Sequence, residues 1–240
     1  ASALATPPAT AADLSDYQQV LIEHVDARGR VDYAAVSTSA LGEFVDELES
    51  TPEPANRTAR MAFWINAYNA LTIDLVADNY PLSSIKELDG GDPWSARIFT
   101  VAGQQVTLND IEHKILRRMG DPRVHAALNC ASMGCPPLLT VAFTEANLDD
   151  QLDRASLVWL STNGVHVHQD SNAVQLSKIF EWYGQDFMTS HHHDIPGIDG
   201  HEEAALNFAA EHLPTHAGFL QGGGYAVMYA KYDWSLNSQP

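Results

Sequence analysis

Asn56-Arg-Thr-Ala-Arg-Met-Ala-Phe-Trp-Ile-Asn-Ala-Tyr-Asn-Ala-Leu-Thr-Ile-Asp-Leu-Val-Ala-Asp-Asn79 is the stretch that decides the fold. Trp64, Tyr68, Leu71, Thr72 and Leu75 recur at helical spacing, while Phe63, Ile65, Ala67, Ile73 and Val76 fill much of the remaining surface. A helix that is apolar nearly all round is buried. This segment, stopped by Tyr80-Pro81, is therefore read as the long central helix of the protein. Asn66 and Asn69 lie three residues apart on one side of it. A buried asparagine must be hydrogen-bonded, so these two either tie neighbouring loops or orient a catalytic group.

Working outward, Leu14, Tyr17, Val20, Leu21 and His24 space a first helix. Leu41, Phe44, Val45 and Leu48 mark a second, from near Ser39 to the break at Thr51-Pro52-Glu53-Pro54. On the other side, residues 97–107 read as a hairpin turning at Ala102-Gly103-Gln104. Thr107 and Asp110 form a near capping box that opens a helix with Leu108, Ile111, Ile115 and Leu116 on its buried side. Glu112 and His113 then sit near the edges of that side, about 100° apart. Further on, the pattern predicts a helix over 144–160, a hairpin over 164–176 and a helix over 177–187. A histidine-rich loop, a helix over 201–213 and a strand over 225–232 complete the chain. Helices mixed with hairpins predict a single α+β domain over 13–240, its helices packed around an antiparallel sheet. Residues 1–12, rich in Ala, Thr and Pro, read as a flexible tether.

The chain has 13 basic and 31 acidic residues, a formal charge of −18. That excludes the cationic surfaces by which proteins hold phosphate backbones, and it disfavours anionic membranes equally. The uncharged run Met61–Ile73 is too short for a bilayer span. The first residue is alanine rather than methionine, and the two cysteines are close together. Both features fit a periplasmic or secreted protein whose signal peptide has been removed.

Those cysteines fall in the second informative stretch, Arg123-Val-His-Ala-Ala-Leu-Asn-Cys-Ala-Ser-Met-Gly-Cys-Pro-Pro-Leu138. Val124, Ala126 and Leu128 alternate with His125, Ala127 and Asn129, a period of two that predicts a strand. Ala131, Ser132 and Gly134 supply a tight turn, and Pro136-Pro137 ends regular structure. A strand end that delivers Asn129-Cys130 into a loop holds a side chain rigidly and leaves it reachable.

Five segments resemble the family catalogued as domain of unknown function 547: residues 63–72, 110–116, 121–138, 176–183 and 232–237. The resemblance runs from about residue 15 to 238. It implies little about activity, because the family is named for lacking one. Plant members of the family are similar but carry an added leucine-zipper segment, and typically have serine at the position of Cys135. The resemblance therefore marks Cys130 and the Glu112-His113 pair.

A cysteine hydrolase or acyltransferase acting on amide or ester bonds needs a thiolate, a base and a group that orients the base. Cys130, His113 and Glu112 supply those types, and Asn66, Asn69 or Asn129 can replace Glu112 as orienter. Amides of the Ala131–Gly134 turn can lower the thiol pKa or hold an oxyanion. The rival reading is a non-catalytic module that binds a peptide or small ligand beside a loop braced by a Cys130–Cys135 disulfide, with His125 and the three asparagines around it. The Cys-x4-Cys spacing lacks the thioredoxin signature. A third reading places a metal on the histidines of the 191–194 loop, with His201, while the His166/His168 pair is an alternative base or ligand pair. Adjacent histidines rarely reach one ion, so no metal ligand and no cofactor is assigned.

Overall fold

The 22-residue helix α3, Arg57–Asp78, is the axis of the molecule. The computed structural model describes residues 12–36, 38–188 and 193–240. Asn56 starts α3 by accepting from the backbone N–H groups of Thr58 and Ala59, which satisfies two of the free donors of a helix start. Every residue from Met61 to Ile73 is buried, as the pattern predicts. Each large apolar side chain placed there contributes about 1.5–3 kcal/mol. Helix α2, Thr38–Ser50, packs against it, and α1, Ser15–His24, packs on α2 in turn, with Tyr17 stacked on Phe44.

A one-turn helix α4, Pro93–Ala96, precedes the hairpin of β1, Phe99–Val101, and β2, Gln104–Val106. The predicted capping box is complete: Asp110 N–H donates to Thr107, and Thr107 N–H donates to Asp110. It opens α5, Leu108–Asp110, which runs on as a π-helical stretch, Ile111–Leu116, and a 3₁₀ turn, Arg117–Met119. Gly120, at φ 70°, ends it.

The strand expected before Cys130 is instead the helical turn α6, Val124–Ala127. Asp121 explains the difference. Its side chain accepts from the backbone N–H of Arg123, and its carbonyl accepts from Val124 N–H, so the chain enters this segment already turning. All four residues of α6 are buried; alternation between an inner and an outer face does not exist there. The chain becomes extended only at Leu128.

Helix α7, Leu148–Trp159, leads to β3, Val165–His168, and β4, Ala173–Leu176, the second predicted hairpin. Then come α8, Lys178–Phe187, α9, Gly200–His212, α10, Ala217–Gly222, and β5, Ala226–Tyr229. The sheet is mixed, which corrects the expected antiparallel one: β3 and β4 are antiparallel, but β5 joins β4 in parallel, Val174 opposite Val227. The helices between β4 and β5 form the long crossover that a parallel pair needs. The molecule is thus a single α+β arrangement dominated by helices. No helix among the described residues is long and apolar enough to cross a membrane. The expected tether lies, but for Ala12, outside the described residues.

The last residues fold back over the cysteine loop. Met133 and Gly134 N–H groups donate to the carbonyls of Ser235 and Asp233, and Ser132 bridges to Leu236. This return strip places Tyr232 and Trp234 beside Cys130 and Cys135.

Candidate functional site

A cleft of about 200 Å³ opens between α5, α8, the cysteine loop and the C-terminal strip. Its walls include Glu112, His113, His125, Cys130 and Cys135. Five of the residues singled out in the sequence therefore meet in one place, although 24 positions separate Glu112 from Pro136 on its far wall.

Cys130 and Cys135 are joined as a disulfide. In this form Cys130 holds no thiolate. The bond is closely dressed: Tyr232 Oη stands 3.3 Å from Cys130 Sγ and 3.2 Å from Cys135 Sγ, and Ser132 Oγ lies 3.0 Å from the same phenol. Cys130 N–H points at Cys135 Sγ, 3.0 Å away. The tyrosine ring lies so close to the loop that a Cβ on Gly134 would stand 2.8 Å from its Cζ, which makes glycine the residue that fits there.

The three asparagines do not line the cleft. Asn66 pairs with both backbone groups of Phe143, at 2.7 and 2.9 Å. Asn69 donates to Ala127 O and accepts from Asn129 N–H, each at 2.9 Å. Asn129 donates to Pro136 O and accepts from Ala131 N–H and Asn237. All three are buried and bonded to backbone, so in this structure they shape the wall and leave no amide directed at a ligand. Asn69 and Asn129 tie the cysteine loop to α3, and Asn66 ties the segment at Phe143 to it.

His113 and His125 are held differently. Arg117 Nη1 lies 3.0 Å from His113 Nδ1. A guanidinium only donates, so Nδ1 accepts and Nε2 carries the proton. Burial, joined by the nearby Arg117 cation and opposed by Glu112, lowers the His113 pKa, keeping it neutral. His125 instead donates from Nε2 to Asp186 Oδ2 at 2.8 Å and stacks on Tyr183 at 4.6 Å between centroids. Asp186 also takes a two-pronged grip from Arg117, Nε at 2.6 Å and Nη2 at 3.0 Å. Burial opposes ionisation of Asp186, but the bonds from His125 and Arg117 outweigh it and hold its carboxyl well below the usual range.

Glu112 stands among phenols. Tyr68 Oη is 3.4 Å from Glu112 Oε2, Tyr183 feels the same carboxylate, and His113 Nδ1 is 3.9 Å from Oε1. Burial first, and the carboxylate beside them second, push the Tyr68 and Tyr183 hydroxyls well above their ordinary pKa. They act as neutral donors. Glu112 is nearer Tyr68 than His113, so it does not act mainly as the partner of the histidine that follows it.

Trp94, Trp182 and Trp234 complete the walls. Trp182 packs on Tyr232 at 4.8 Å and Tyr232 on Trp234 at 4.5 Å. The sequence reading missed Arg117, Asp186 and all six cleft aromatics. The clustering of Trp182-Tyr183 and Trp234 within the 176–183 and 232–237 motifs was the signal that pointed to them. Of the histidine-rich loop, His191 and His192 lie outside the described residues, and His193 contributes its carbonyl to Asn207. Among the described residues no three His, Cys, Asp or Glu side chains gather as a metal site requires. His166 and His168 sit on β3 with ring centroids 6.5 Å apart.

No curated protein and no solved structure matches this chain. A family model matches residues 52–160. That range carries Glu112, His113, His125 and both cysteines; Tyr183, Asp186, Tyr232 and the 176–183 and 232–237 motifs lie beyond it. Over residues 52–160, from the approach to α3 to the end of α7, the chain matches the family described as Protein of unknown function, DUF547.

Proposed function

We propose that this protein is an exported binding protein whose aromatic cleft takes a small ligand or the end of a peptide. The observation that carries this reading is the Cys130–Cys135 bond in the cleft wall: it removes the nucleophile and stiffens the loop that shapes the site. Concave sites lined by aromatic rings with a few convergent polar groups are the usual form of ligand pockets. The buried indole N–H of Trp94, in the same wall, has no acceptor among the described residues, which is a group a polar ligand would satisfy. A bonded cysteine pair supports an oxidising compartment.

The test is a library of short peptides and small metabolites, read by the fluorescence of Trp94, Trp182 and Trp234. The expected result is a saturable change that Trp182→Ala abolishes. A blank library, or hits indifferent to that substitution, would defeat the reading.

One observation favours a second reading, a cysteine hydrolase or acyltransferase active only after reduction. Asp186 and His125 form an oriented carboxylate–imidazole pair in the same cleft as Cys130. His125 meets Asp186 through Nε2 and keeps Nδ1 as its second ring nitrogen, whereas the accepting nitrogen of His113 is taken by Arg117. Under this reading His125, rather than His113, is the base. Alkylation of Cys130 in reduced protein at several pH values tests it. A Cys130 pKa well below the free-thiol value of about 8.5, raised by His125→Gln, is the expected result; an ordinary thiol overturns it.

A further inference from the structure

The charges around the cleft do not balance. Glu112 and Asp92 line it, and Asp186 stands behind His125. Against these three carboxylates stand Arg117, already gripped by Asp186 through two hydrogen bonds, and Lys86, over the ring of Trp234, neither of them a lining residue. His113 is held neutral. No lysine or arginine is among the lining residues. The phenols around Glu112 soften its charge by hydrogen bonding but do not cancel it.

The rings show the same preference. The protein seats its own cations on two of them: Arg117 lies over Tyr183 at 4.8 Å, and Lys86 over Trp234 at 4.5 Å. Among the described residues Trp94, Trp182 and Tyr232 carry none. Trp182 is 44% exposed, with one side of its ring stacked toward Trp234 at 6.0 Å. An aromatic ring attracts a cation through its quadrupole, more strongly where water is partly excluded.

Resting on the ligand-cleft reading, we propose that the ligand carries an organic ammonium group, seated between Glu112 and the rings of Trp182 and Tyr232. The carboxylate supplies the full charge and the rings supply a low-dielectric wall that a hydrated metal ion would not favour. The overall charge of −18 draws such cations toward the protein.

The test uses the intact oxidised chain and tryptophan fluorescence. Choline is compared with neohexyl alcohol, its uncharged carbon isostere, and butylammonium with butanol. The expected result is that at least one ammonium ion binds about 10-fold more tightly than its neutral counterpart. Its affinity falls about 10-fold in Glu112→Gln, a change that keeps an acceptor for the Tyr68 hydroxyl. Trp182→Ala, at an exposed ring, weakens it as well and serves if Glu112→Gln proves unstable. Equal affinity for charged and neutral partners overturns the ammonium assignment and leaves the ligand cleft standing. So does silence of all four probes while the wider library yields hits that depend on Trp182; silence of both defeats the two readings together. Ammonium binding that neither substitution changes overturns the assignment too, since the cation then sits elsewhere on the acidic surface.

Discussion

Arg117 Nη1 donates to His113 Nδ1 at 3.0 Å, one helical turn along α5. The proton of His113 is therefore on Nε2, and the ring meets the cleft as a donor. Burial lowers its pKa, so the folded protein resists a proton that the unfolded chain accepts near pH ~6.5. The sign follows from linkage: the contribution is complete above the unfolded value and is lost as pH falls through it. His113→Gln should lose less stability between pH 7 and pH 5 than the wild type, measured by urea unfolding. Equal losses would show that His113 keeps an ordinary titration. Nitrogen chemical shifts should report the Nε2–H form.

The disulfide closes a loop with a sequence separation of 5. Restriction of the unfolded chain by a loop that short is worth about 2 kcal/mol. Reduction of the wild type and the double substitution Cys130→Ser/Cys135→Ser should each lower the unfolding free energy by about that amount. If reductant leaves the urea midpoint unmoved, the cysteines are not bonded in solution.

Gly134 admits the ring of Tyr232, whose nearest carbons would stand 2.8 and 2.9 Å from an added Cβ. Gly134→Ala should cost about 1–3 kcal/mol through overpacking and displace Tyr232 from both sulfurs. Thermal unfolding measures the cost, and the rate at which a thiol reductant opens the disulfide should rise. A variant with unchanged stability and reduction rate would mean that the strip carrying Tyr232 yields freely.

Asn69 satisfies Ala127 O and Asn129 N–H inside the core. Asn69→Ala leaves both without a partner, a loss of about 2–4 kcal/mol. Since Asn129 precedes Cys130, faster hydrogen exchange at 128–131 should accompany it. A loss under about 1 kcal/mol would show that water replaces the amide.

What was legible in the sequence is local. The helix from Asn56 to Asn79, the Thr107–Asp110 capping box and the hairpins at 99–106 and 165–176 follow from periodicity, caps and turn residues that act within a few positions of one another. The apolar wrap of α3 shows it central, because only a buried helix tolerates apolar residues on every face. Two asparagines in that wrap imply partners without naming them. The family motifs picked out Glu112, His113 and Cys130 before any geometry placed them together.

What only the tertiary structure decided is non-local. The period-two pattern at 124–129 gave way to a helical turn because Asp121 accepts from the N–H groups of Arg123 and Val124, starting the turn, and Asp186, distant in sequence, gives buried His125 a partner. β5 runs parallel to β4 because three helices intervene, which no pattern within either strand encodes. The roles of the two histidines depend on Arg117 and Asp186, and the state of Cys130 on whether Cys135 lies within bonding distance. Those are distances between side chains carried by different elements. A sequence lists the groups, but the packing of α5, α8 and the C-terminal strip sets which nitrogen accepts and which sulfur is bonded.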